Sequence, residues 1–396
     1  MKHNPRVIEL GDLSRAIRSM EDVDESQAVA ADRMAGSKRR AMRLDAVGED
    51  DAIALKREAE ALGVVVLDGE FDPRGPSPRI LVADHETLDR LGATLEAGRE
   101  AKPLGAAIRF VLAAYGRTAF GLAFADGERL DLTSETRVMG VLNVTPDSFS
   151  ENAAATSPEA AVAVAARMFE DGADLVDVGG ESTRPGASPV PEDEEIRRVV
   201  PVIRAIKREL DVRVSVDTMK ANVARYAIEA GADLVNDVSA FGDPAMLSVV
   251  RDARVPAIVM HMRGTPRSMQ QDTGYVDLLS SVVGFLRKCV DRASASGIAD
   301  DKILVDPGLG FGKSASGNLR ILRELPTLRS VGRPIVIGAS RKSFIGAALD
   351  LPVGERLEGS LAVAAHAVWQ GAHVIRAHDV AATKRTTRMI DAIRRT

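Results

Sequence analysis

The sequence has almost no cysteine and few aromatic residues. Of its 396 residues, one is cysteine (Cys289), one is tryptophan, and 4% are aromatic. A single thiol excludes a disulfide framework and a cysteine-based zinc cluster, so we expect a protein of the reducing cytoplasm. The scarcity of aromatic rings also argues against a sugar as the ligand, because sugars commonly need aromatic stacking partners.

Long apolar runs and an excess of basic residues are missing as well. No stretch approaches the ~18 consecutive apolar residues of a membrane-spanning helix, and the first residues lack the apolar core of a signal peptide. The net charge is −5, whereas nucleic-acid-binding proteins usually carry a basic bias. We therefore expect neither a membrane nor a nucleic acid as partner. The 45% of hydrophobic residues is enough for a sizeable core.

From about Val138 onward, short apolar runs alternate with amphipathic stretches. Eight such runs follow one another: Val138–Asn143, Ala173–Val178, Arg213–Asp217, Ala232–Asp237, Pro256–Met262, Lys302–Pro307, Pro334–Ser340 and Ala372–His378. They are apolar on both faces, as parallel strands covered by helices are. Eight βα units in ~250 residues predict an α/β fold of the TIM (β/α)8 barrel type. An open doubly wound sheet is the alternative, but it seldom contains eight evenly spaced units.

The sequence before the barrel predicts a hairpin and a further domain. Asp126-Gly127 separates two alternating apolar runs within residues 120–132, which predicts a β-hairpin. We expect it to close the bottom of the barrel, although a simple linker hairpin would show the same pattern. Residues 1–118 predict a small α+β domain without a catalytic constellation, and residues 119–396 the barrel. The strands expected in this domain are Arg6–Leu10, Gly63–Asp68 and Arg79–Asp84.

A polar residue stands at the end of each predicted barrel strand. These residues are Asn143, Asp177, Asp217, Asn236, His261, Asp306, Ser340 and Arg376. Helix capping and turn formation could explain any one of them. Asp177 and Asp217, however, lie within apolar runs, where a carboxylate is costly unless it is paired or hydrogen-bonded. Because TIM-barrel active sites lie at this end of the strands, the pattern predicts a polar floor for a ligand.

The residue types indicate the chemistry of that ligand. Asp217, Asn236 and Asp306 offer acceptors and one amide, and a carboxylate matches an amino-pyrimidinone edge through two parallel hydrogen bonds. A flat heterocycle therefore fits the floor. Basic residues follow three strands, namely Arg184, Arg341, Lys342, Arg376 and His378. Each could be an ordinary surface residue, but together at one barrel mouth they favour a phosphate or diphosphate on the ligand.

Three other features are not assigned the chemistry that their motifs first suggest; the glycines of Gly308–Ser314 more simply permit close backbone approach to a ligand. Gly308–Ser314 resembles a phosphate-binding loop, but Pro307 stands where the Walker A motif needs glycine. His261 has no second histidine or acid at ligand spacing, which favours a structural histidine over a metal ligand. Cys289 lies on an amphipathic stretch and is most simply a core residue.

The strand-end motifs resemble those of the dihydropteroate synthase family, from about Arg137 to the C-terminus. The matching stretches are Met139–Ser150, Asp177–Ala187, Val214–Thr218, Val235–Ser239, Met260–Pro266, Asp306–Lys313, Ser340–Gly346 and Arg376–Val380. The resemblance implies a TIM barrel and a transferase of folate biosynthesis that sulfonamides inhibit. Its reaction joins p-aminobenzoate to 6-hydroxymethyl-7,8-dihydropterin diphosphate and releases pyrophosphate, by a dissociative, SN1-like mechanism. It also implies Mg²⁺ and a homodimer.

The resemblance assigns residues to three parts of a site. The pterin would be bound by Asp217, Asn236, Met260, Asp306 and Lys342. The diphosphate would be bound by Asn143, Arg184, Arg376 and His378, with Asn143 also a ligand of Mg²⁺. The p-aminobenzoate pocket would be shaped by Thr183, Arg184, Pro185, Phe311 and Ser343. The residues expected to act in catalysis are Asp217, Lys342, Arg376 and His378.

Two alternatives stay open, and a departure from the family pattern bears on the first of them. Segments Val144–Ala155 and Ser182–Val190 would close over the site, but the first reads Glu151-Asn152 where the family usually has Asp-Gly. Loop closure often governs turnover, so a catalytically silent pterin-binding paralogue is one alternative. The other is a barrel that transfers a methyl group from methyltetrahydrofolate to a corrinoid. It would share the pterin floor but needs no diphosphate pocket.

Overall fold

The computed structural model describes residues 3–8, 39–68, 76–145 and 157–396. They divide into two compact units. The described part of Met1–Arg117, together with Asp277–Arg287 and Glu324–Gly332, forms the first unit. The second unit comprises the described part of Thr118–Val276, with Lys288–Arg323 and Arg333–Thr396. The first unit thus includes two short segments from the later part of the chain.

Among the described residues before Thr118, the first unit contains an antiparallel four-stranded sheet and three helices. The strands are β1 (Arg6–Ile8), β2 (Arg39–Val47), β3 (Val65–Asp68) and β4 (Ser77–Asp84), in the order β1-β2-β4-β3. The helices are α1 (Glu49–Leu62), α2 (His85–Ala97) and α3 (Lys102–Gly116). The small α+β fold is as expected, but β2 was not expected. Glu9 and Leu10, at the end of the first predicted strand, lie outside the described residues.

Four charged side chains form a buried ion-pair cluster in this unit. Arg6 is 3% exposed, and its Nη1 and Nη2 lie 2.6 Å from Asp45 and 2.9 Å from Asp277. Arg43 lies 3.2 Å from each of the same two carboxylates. The two positive and two negative charges balance, which is the condition under which buried ions are tolerated.

The second unit is a closed parallel barrel of eight strands. They are β7 (Arg137–Asn143), β8 (Leu175–Gly179), β9 (Arg213–Asp217), β10 (Leu234–Asp237), β11 (Ala257–Met260), β12 (Ile303–Asp306), β13 (Val336–Gly338) and β14 (Val374–Ala377). They are ordered β12-β11-β10-β9-β8-β7-β14-β13. A parallel bridge between Val305 and Ile335 joins β12 to β13 and closes the ring. The predicted TIM barrel is confirmed.

The helices that follow the strands cover the outside of the barrel, as in other TIM barrels. They are α4 (Pro158–Glu170), α5 (Glu192–Glu209), α6 (Ala221–Glu229), α7 (Ala245–Ala253), α8 (Leu278–Ala295), α9 (Ala315–Arg323), α10 (Ser343–Leu349), α11 (Leu357–Trp369) and α12 (Val380–Arg395). Of α8, only residues 288–295 belong to the second unit. Short 3₁₀ turns occur at Asp300–Lys302, Leu325–Val331 and Val353–Glu355. Within the described ranges, no helix has the length and apolar character required to span a bilayer.

The predicted hairpin consists of β5 (Gly121–Ala123) and β6 (Arg129–Asp131). Its apolar residues Leu122, Phe124 and Leu132 are buried and belong to one core cluster with the first residues of the barrel strands. In that cluster the strand residues are Met139, Leu175, Leu234, Ile258, Leu304, Val336 and Val374. The hairpin therefore closes the amino end of the barrel, as expected, and the carboxyl end of the strands is left for a site.

Candidate functional site

The strand registers bring the predicted floor residues to one end of the barrel. Asp217 at the end of β9 pairs with Asn236 on β10, and Met260 at the end of β11 pairs with Asp306 on β12. Arg376 on β14 pairs with Gly338, the last residue of β13. Asp217, Asn236 and Asp306 are 7%, 5% and 7% exposed. The backbone register of the strands therefore brings Asp217, Asn236, Asp306 and Arg376 to the same end of the barrel.

Two carboxylates hold the guanidinium of Arg376 in this floor. Its Nε donates to Oδ2 of Asp177 at 2.6 Å, and its Nη2 donates to Oδ2 of Asp217 at 2.7 Å. Asn236 donates from Nδ2 to the same oxygen of Asp177 at 3.0 Å. Asp177 is fully buried, so it acts on a ligand only by placing Arg376 and Asn236. The sequence placed Asp177 in the ring but assigned it no role. Its position inside an apolar run was the available signal.

The carboxylate of Asp217 keeps one oxygen available as an acceptor. Within the described part of the chain, its buried Oδ1 has no hydrogen-bond partner. Burial raises the pKa of Asp217 to about 7, with the charge of Arg376 opposing the rise and the carboxylate of Asp177 adding to it. A ligand that donates N–H groups to this carboxylate would stabilise its ionised form. Asp217 is thus suited to an amino-substituted heterocycle.

Asp306 and Lys342 form the other side of the floor. Oδ1 of Asp306 accepts from the backbone N–H of Gly308 at 2.7 Å, and burial raises the pKa of Asp306 while Lys342 opposes the rise. Burial lowers the pKa of Lys342 to about 8, against the charge of Asp306. Nζ of Lys342 donates to the carbonyl of Leu309 and lies 4.6 Å from the centre of the Phe311 ring. Lys342 therefore links the floor to the aromatic side chain above it.

The rim of the site, where the sequence placed Arg184, Arg341 and His378, is less cationic than predicted. Burial lowers the pKa of His378 to about 4, and the charges of Arg376 and Arg341 lower it further, so this histidine is neutral at pH 7. Its Nδ1 lies 3.0 Å from Oγ of Ser340. Arg341 is engaged by a neighbouring carboxylate: its Nε lies 3.0 Å from Oδ2 of Asp379, and its Nη2 contacts the other oxygen. The charges of Arg376 and Lys342 both oppose the rise in the pKa of Asp306, so these two predicted cations act directly on the floor.

The residues expected around p-aminobenzoate lie on three segments. Thr183, Arg184 and Pro185 follow β8, with the latter two exposed, and Ser343 is the exposed first residue of α10. Phe311, which follows β12, is half-buried. The charge of Arg184 contributes to lowering the pKa of His378, which brings it within electrostatic range of the rim. Their shared role in one pocket stays a prediction.

Asn143, expected to bind Mg²⁺, is the last residue of β7. Its Oδ1 lies 3.8 Å from the position that a Cβ on Gly179 would occupy, on the same side as the carboxylate of Asp217. No cluster of three acids, histidines or cysteines suited to a metal occurs among the described residues. A single amide oxygen fits an ion that takes its other ligands from substrate phosphates and water. Most of the first expected loop, including Glu151 and Asn152, lies outside the described residues.

Comparison with known proteins assigns this barrel to a class and then to a family. The family model described as "Pterin binding enzyme" matches residues 139–378, from β7 to the residue after β14. The chain therefore belongs to the class of pterin-binding enzymes. Over 265 residues the chain is 44% identical to the dihydropteroate synthase of Synechocystis sp., covering 66% of this chain and 92% of the relative. The chain belongs to the dihydropteroate synthase family, which confirms the resemblance read from the sequence.

Solved structures agree with this assignment. The dihydropteroate synthase of Yersinia pestis in complex with a sulfonamide drug superimposes with a TM-score of 0.67 at 42% identity, covering 70% of this chain and all of that one. The enzyme of Xanthomonas albilineans with 4-aminobenzoic acid gives a TM-score of 0.65 at 43% identity and the same coverage. The family model does not include the first 138 residues of this chain.

Proposed function

We propose that the barrel condenses p-aminobenzoate with 6-hydroxymethyl-7,8-dihydropterin diphosphate to give 7,8-dihydropteroate and pyrophosphate. The observation that carries this proposal is the buried floor in which Asp217, Asn236, Asp306 and Arg376 meet at the ends of four strands. Family membership supports it, because its relatives carry the name dihydropteroate synthase. The sulfonamide complex of the Yersinia pestis enzyme supports the further proposal that sulfonamides compete for the p-aminobenzoate pocket.

The pterin ring lies on the floor. Oδ1 of Asp217 accepts from the N–H groups along one edge of the ring, and a charge-assisted pair of this kind is stronger than a neutral one. Asn236 and Asp306 contact the same ring, with Met260 against its face. Lys342, whose pKa of about 8 leaves it largely protonated at pH 7, donates to the ring carbonyl. Desolvation on closure strengthens each of these contacts.

The diphosphate faces the rim. Arg376, whose side chain is 22% exposed, presents a guanidinium already aligned by Asp177 and Asp217. His378, neutral at pH 7, donates a hydrogen bond without adding charge, and Arg184 supplies a second cation. Mg²⁺ held through Asn143 would neutralise the leaving pyrophosphate when bound. These residues bind more strongly as negative charge accumulates on the leaving group, which is the basis of their effect on rate.

The reaction breaks the bond between the pterin methylene and the diphosphate oxygen before the new bond forms. Pyrophosphate takes the electron pair, and the resulting cation is delocalised over the pterin and stabilised by the carboxylate of Asp217. The aniline nitrogen of p-aminobenzoate then donates its lone pair to the methylene carbon and loses a proton. A covalent enzyme intermediate is not needed. In keeping with this, burial raises the pKa of the thiol of Cys289 to about 11, so it is no nucleophile at pH 7.

The second substrate binds above the methylene. The ring of Phe311 provides a face against which p-aminobenzoate packs, and Lys342 lies beneath it. Thr183, Arg184 and Pro185 cover the opposite side, and Ser343 presents the start of α10 to the substrate carboxylate. Holding both substrates in one orientation supplies much of the rate enhancement in a reaction of two substrates.

The proposal includes a homodimer in the cytoplasm. Trp369 at the end of α11 is 57% exposed, and Met389 and Ile393 on α12 are 61% and 42% exposed. Large apolar side chains exposed together on neighbouring helices are typical of a protein interface, and a second copy of this chain is the expected partner. Sedimentation of the wild-type chain should give a dimer, and replacing Trp369 and Met389 by serine should give a monomer. A cytoplasmic location is consistent with the free, buried thiol of Cys289.

A direct assay tests the proposed activity. Purified protein is mixed with the dihydropterin diphosphate, Mg²⁺ and p-aminobenzoate, and dihydropteroate and pyrophosphate are quantified. We expect both products in equal amounts, with formation abolished when either substrate is omitted. Tight pterin binding without product would support a silent paralogue, and methyl transfer from methyltetrahydrofolate to a corrinoid would support the other alternative.

A further inference from the structure

The segment Gly308–Gly312 holds the Phe311 ring at the mouth of the barrel, and side chains bind all of its carbonyl groups. Nζ of Lys313 donates to the carbonyls of Gly308 and Phe311, at 2.9 Å each, and Nζ of Lys342 donates to that of Leu309. Nε2 of Gln270 donates to the carbonyl of Gly310 at 2.9 Å, and the hydroxyl of Tyr275 to that of Gly312 at 2.8 Å. Five consecutive carbonyls are thus fixed by four side chains.

Two of these donors come from a part of the barrel to which the sequence analysis gave no function. Gln270 and Tyr275 lie on residues 261–276, the post-β11 segment, which follows β11. The two segments are in direct backbone contact. Gly308 and Gly312 have φ values of +68° and +67°, and a Cβ built on them would lie 2.0 Å from the carbonyl oxygen of His261 and 2.9 Å from that of Arg263. Glycine is required at both positions.

Lys313 joins the same two segments through its side chain. It is 3% exposed, and its Nζ lies 2.9 Å from Nδ1 of His261 and 3.1 Å from the carbonyl oxygen of the same residue. Burial lowers the pKa of His261 to about 3, and the charge of Lys313 lowers it further, so the ring is neutral and its Nδ1 can accept. His261 is thus a structural residue, as the sequence favoured.

The post-β11 segment also holds the side chain of Tyr275 in place and contacts the segment that follows β8. The guanidinium of Arg263 lies 4.8 Å from the centre of the Tyr275 ring and 2.6 Å from the carboxylate of Asp272, which holds the tyrosine in place. The carbonyl of Pro266 accepts from the N–H of Gly186 at 3.1 Å, directly after Pro185. One segment therefore contacts two of the three segments that carry the proposed p-aminobenzoate pocket.

We propose that Gln270 and Tyr275 are positioning residues that hold the Phe311 ring in place and thereby set the affinity for p-aminobenzoate. This inference rests on the proposed assignment of Phe311 to that pocket. A side chain serves as a packing surface only when its backbone is fixed, and loss of one of these hydrogen bonds frees part of the segment. Gln270 and Tyr275 donate to Gly310 and Gly312, at the far end of the segment from Gly308, which bonds to Asp306 of the floor. The two substrates should therefore respond differently.

Variants that remove one donor each provide the test. Tyr275→Phe removes only the hydroxyl, and Gln270→Glu replaces the amide donor by an acceptor of the same size. Each should raise KM for p-aminobenzoate about three- to tenfold, the range expected for one lost hydrogen bond. KM for the pterin diphosphate and kcat should stay within about twofold of the wild-type values. Matched controls are Tyr226→Phe, on the exposed face of α6, and Gln271→Glu, next in sequence to Gln270.

The outcomes separate this inference from the function on which it rests. Equal rises in both KM values together with a lower Tm would show a general structural role and overturn the inference. Phe311→Ala with an unchanged KM for p-aminobenzoate would overturn the pocket assignment and the inference with it. A raised KM in Phe311→Ala but wild-type values in both donor variants would overturn the inference alone.

Discussion

Nη2 of Arg376 lies 2.7 Å from Oδ2 of Asp217. The arginine proposed to bind the diphosphate is therefore paired with the carboxylate proposed to bind the pterin. The pair is formed by residues at the ends of β14 and β9, and Asp177 holds the same guanidinium from beneath. Because of this pair, the proposed pterin site and the proposed diphosphate site are electrostatically coupled. A change at either residue affects both substrate groups, though to different extents.

Arg376→Ala should weaken binding of the pterin diphosphate by about 100-fold, because a charge-assisted contact to a phosphate is lost. The pterin alcohol, which has no diphosphate, should bind less than about tenfold more weakly. This smaller loss arises because Asp217 without its partner has a still higher pKa. Calorimetry with both ligands measures the difference, and Arg225→Ala on the exposed face of α6 is the control. Equal losses for the two ligands would count against the anion pocket.

Asp306→Ala should reduce affinity for the pterin alcohol by about 10- to 100-fold, since a buried carboxylate that receives ligand N–H groups is removed. The same variant frees the N–H of Gly308, which donates to Asp306 at 2.7 Å, so Tm should also fall. Asp306→Asn, which keeps one oxygen for this N–H, should restore Tm but not affinity. The exposed Asp252→Ala serves as control, and a variant at Asp306 that keeps wild-type affinity would remove the floor model.

Binding of the pterin alcohol should weaken as pH falls through 7. The pKa of Asp217 is raised to about 7 in the free protein, and the ligand binds the ionised carboxylate. Below pH 7 that carboxylate must first lose a proton, so affinity should be about tenfold lower at pH 6 than at pH 8. Proton release on binding, measured by calorimetry in two buffers, should accompany this change. In Asp217→Asn the affinity for the pterin alcohol should be low and independent of pH. If the affinity of the wild-type protein is also independent of pH between 6 and 8, the assignment of Asp217 as the pterin acceptor is wrong.

Arg6→Ala should destabilise the protein by about 3–5 kcal/mol, because Asp45 and Asp277 then share only Arg43 within a buried cluster. Chemical denaturation followed by circular dichroism measures the free energy of unfolding. Arg57→Ala is the matched control, since that arginine is 61% exposed and pairs with Glu58 on the surface. The control should change stability by less than about 1 kcal/mol. A similarly small loss for Arg6→Ala would show that the cluster adds nothing to stability.

The barrel could be predicted from sequence because each of its strands is a short apolar run with a polar residue at its carboxyl end or within a few residues of it. Strand β2 could not be predicted in this way. It reads RRAMRLDAV, and the buried ion pairs that allow Arg43 and Asp45 to lie in a sheet depend on Arg6 and Asp277, which are far away in sequence. A pattern that counts charged residues as exposed misses a strand whose charges are buried in pairs.

The floor residues could also be predicted from sequence, but the contacts that position the residues around them could not. Asp217, Asn236 and Asp306 follow from position at strand ends together with residue type. The engagement of Arg341 by Asp379, and of the Phe311 segment by Gln270 and Tyr275, arises from contacts between residues 37 to 40 positions apart. Those contacts become visible only when the loops are placed in three dimensions.

Two of the barrel strands end in glycine, Gly179 on β8 and Gly338 on β13. A Cβ on Gly179 would lie 3.6 Å from the Cβ of Asp217, and one on Gly338 would lie 3.9 Å from Oδ2 of Asp306. An added methyl group could be tolerated at these distances, but a bulkier side chain would crowd the proposed pterin site beside Asp217 and Asp306. Because Gly179 and Gly338 have no side chains, they leave space beside Asp217 and Asp306 for the proposed substrate.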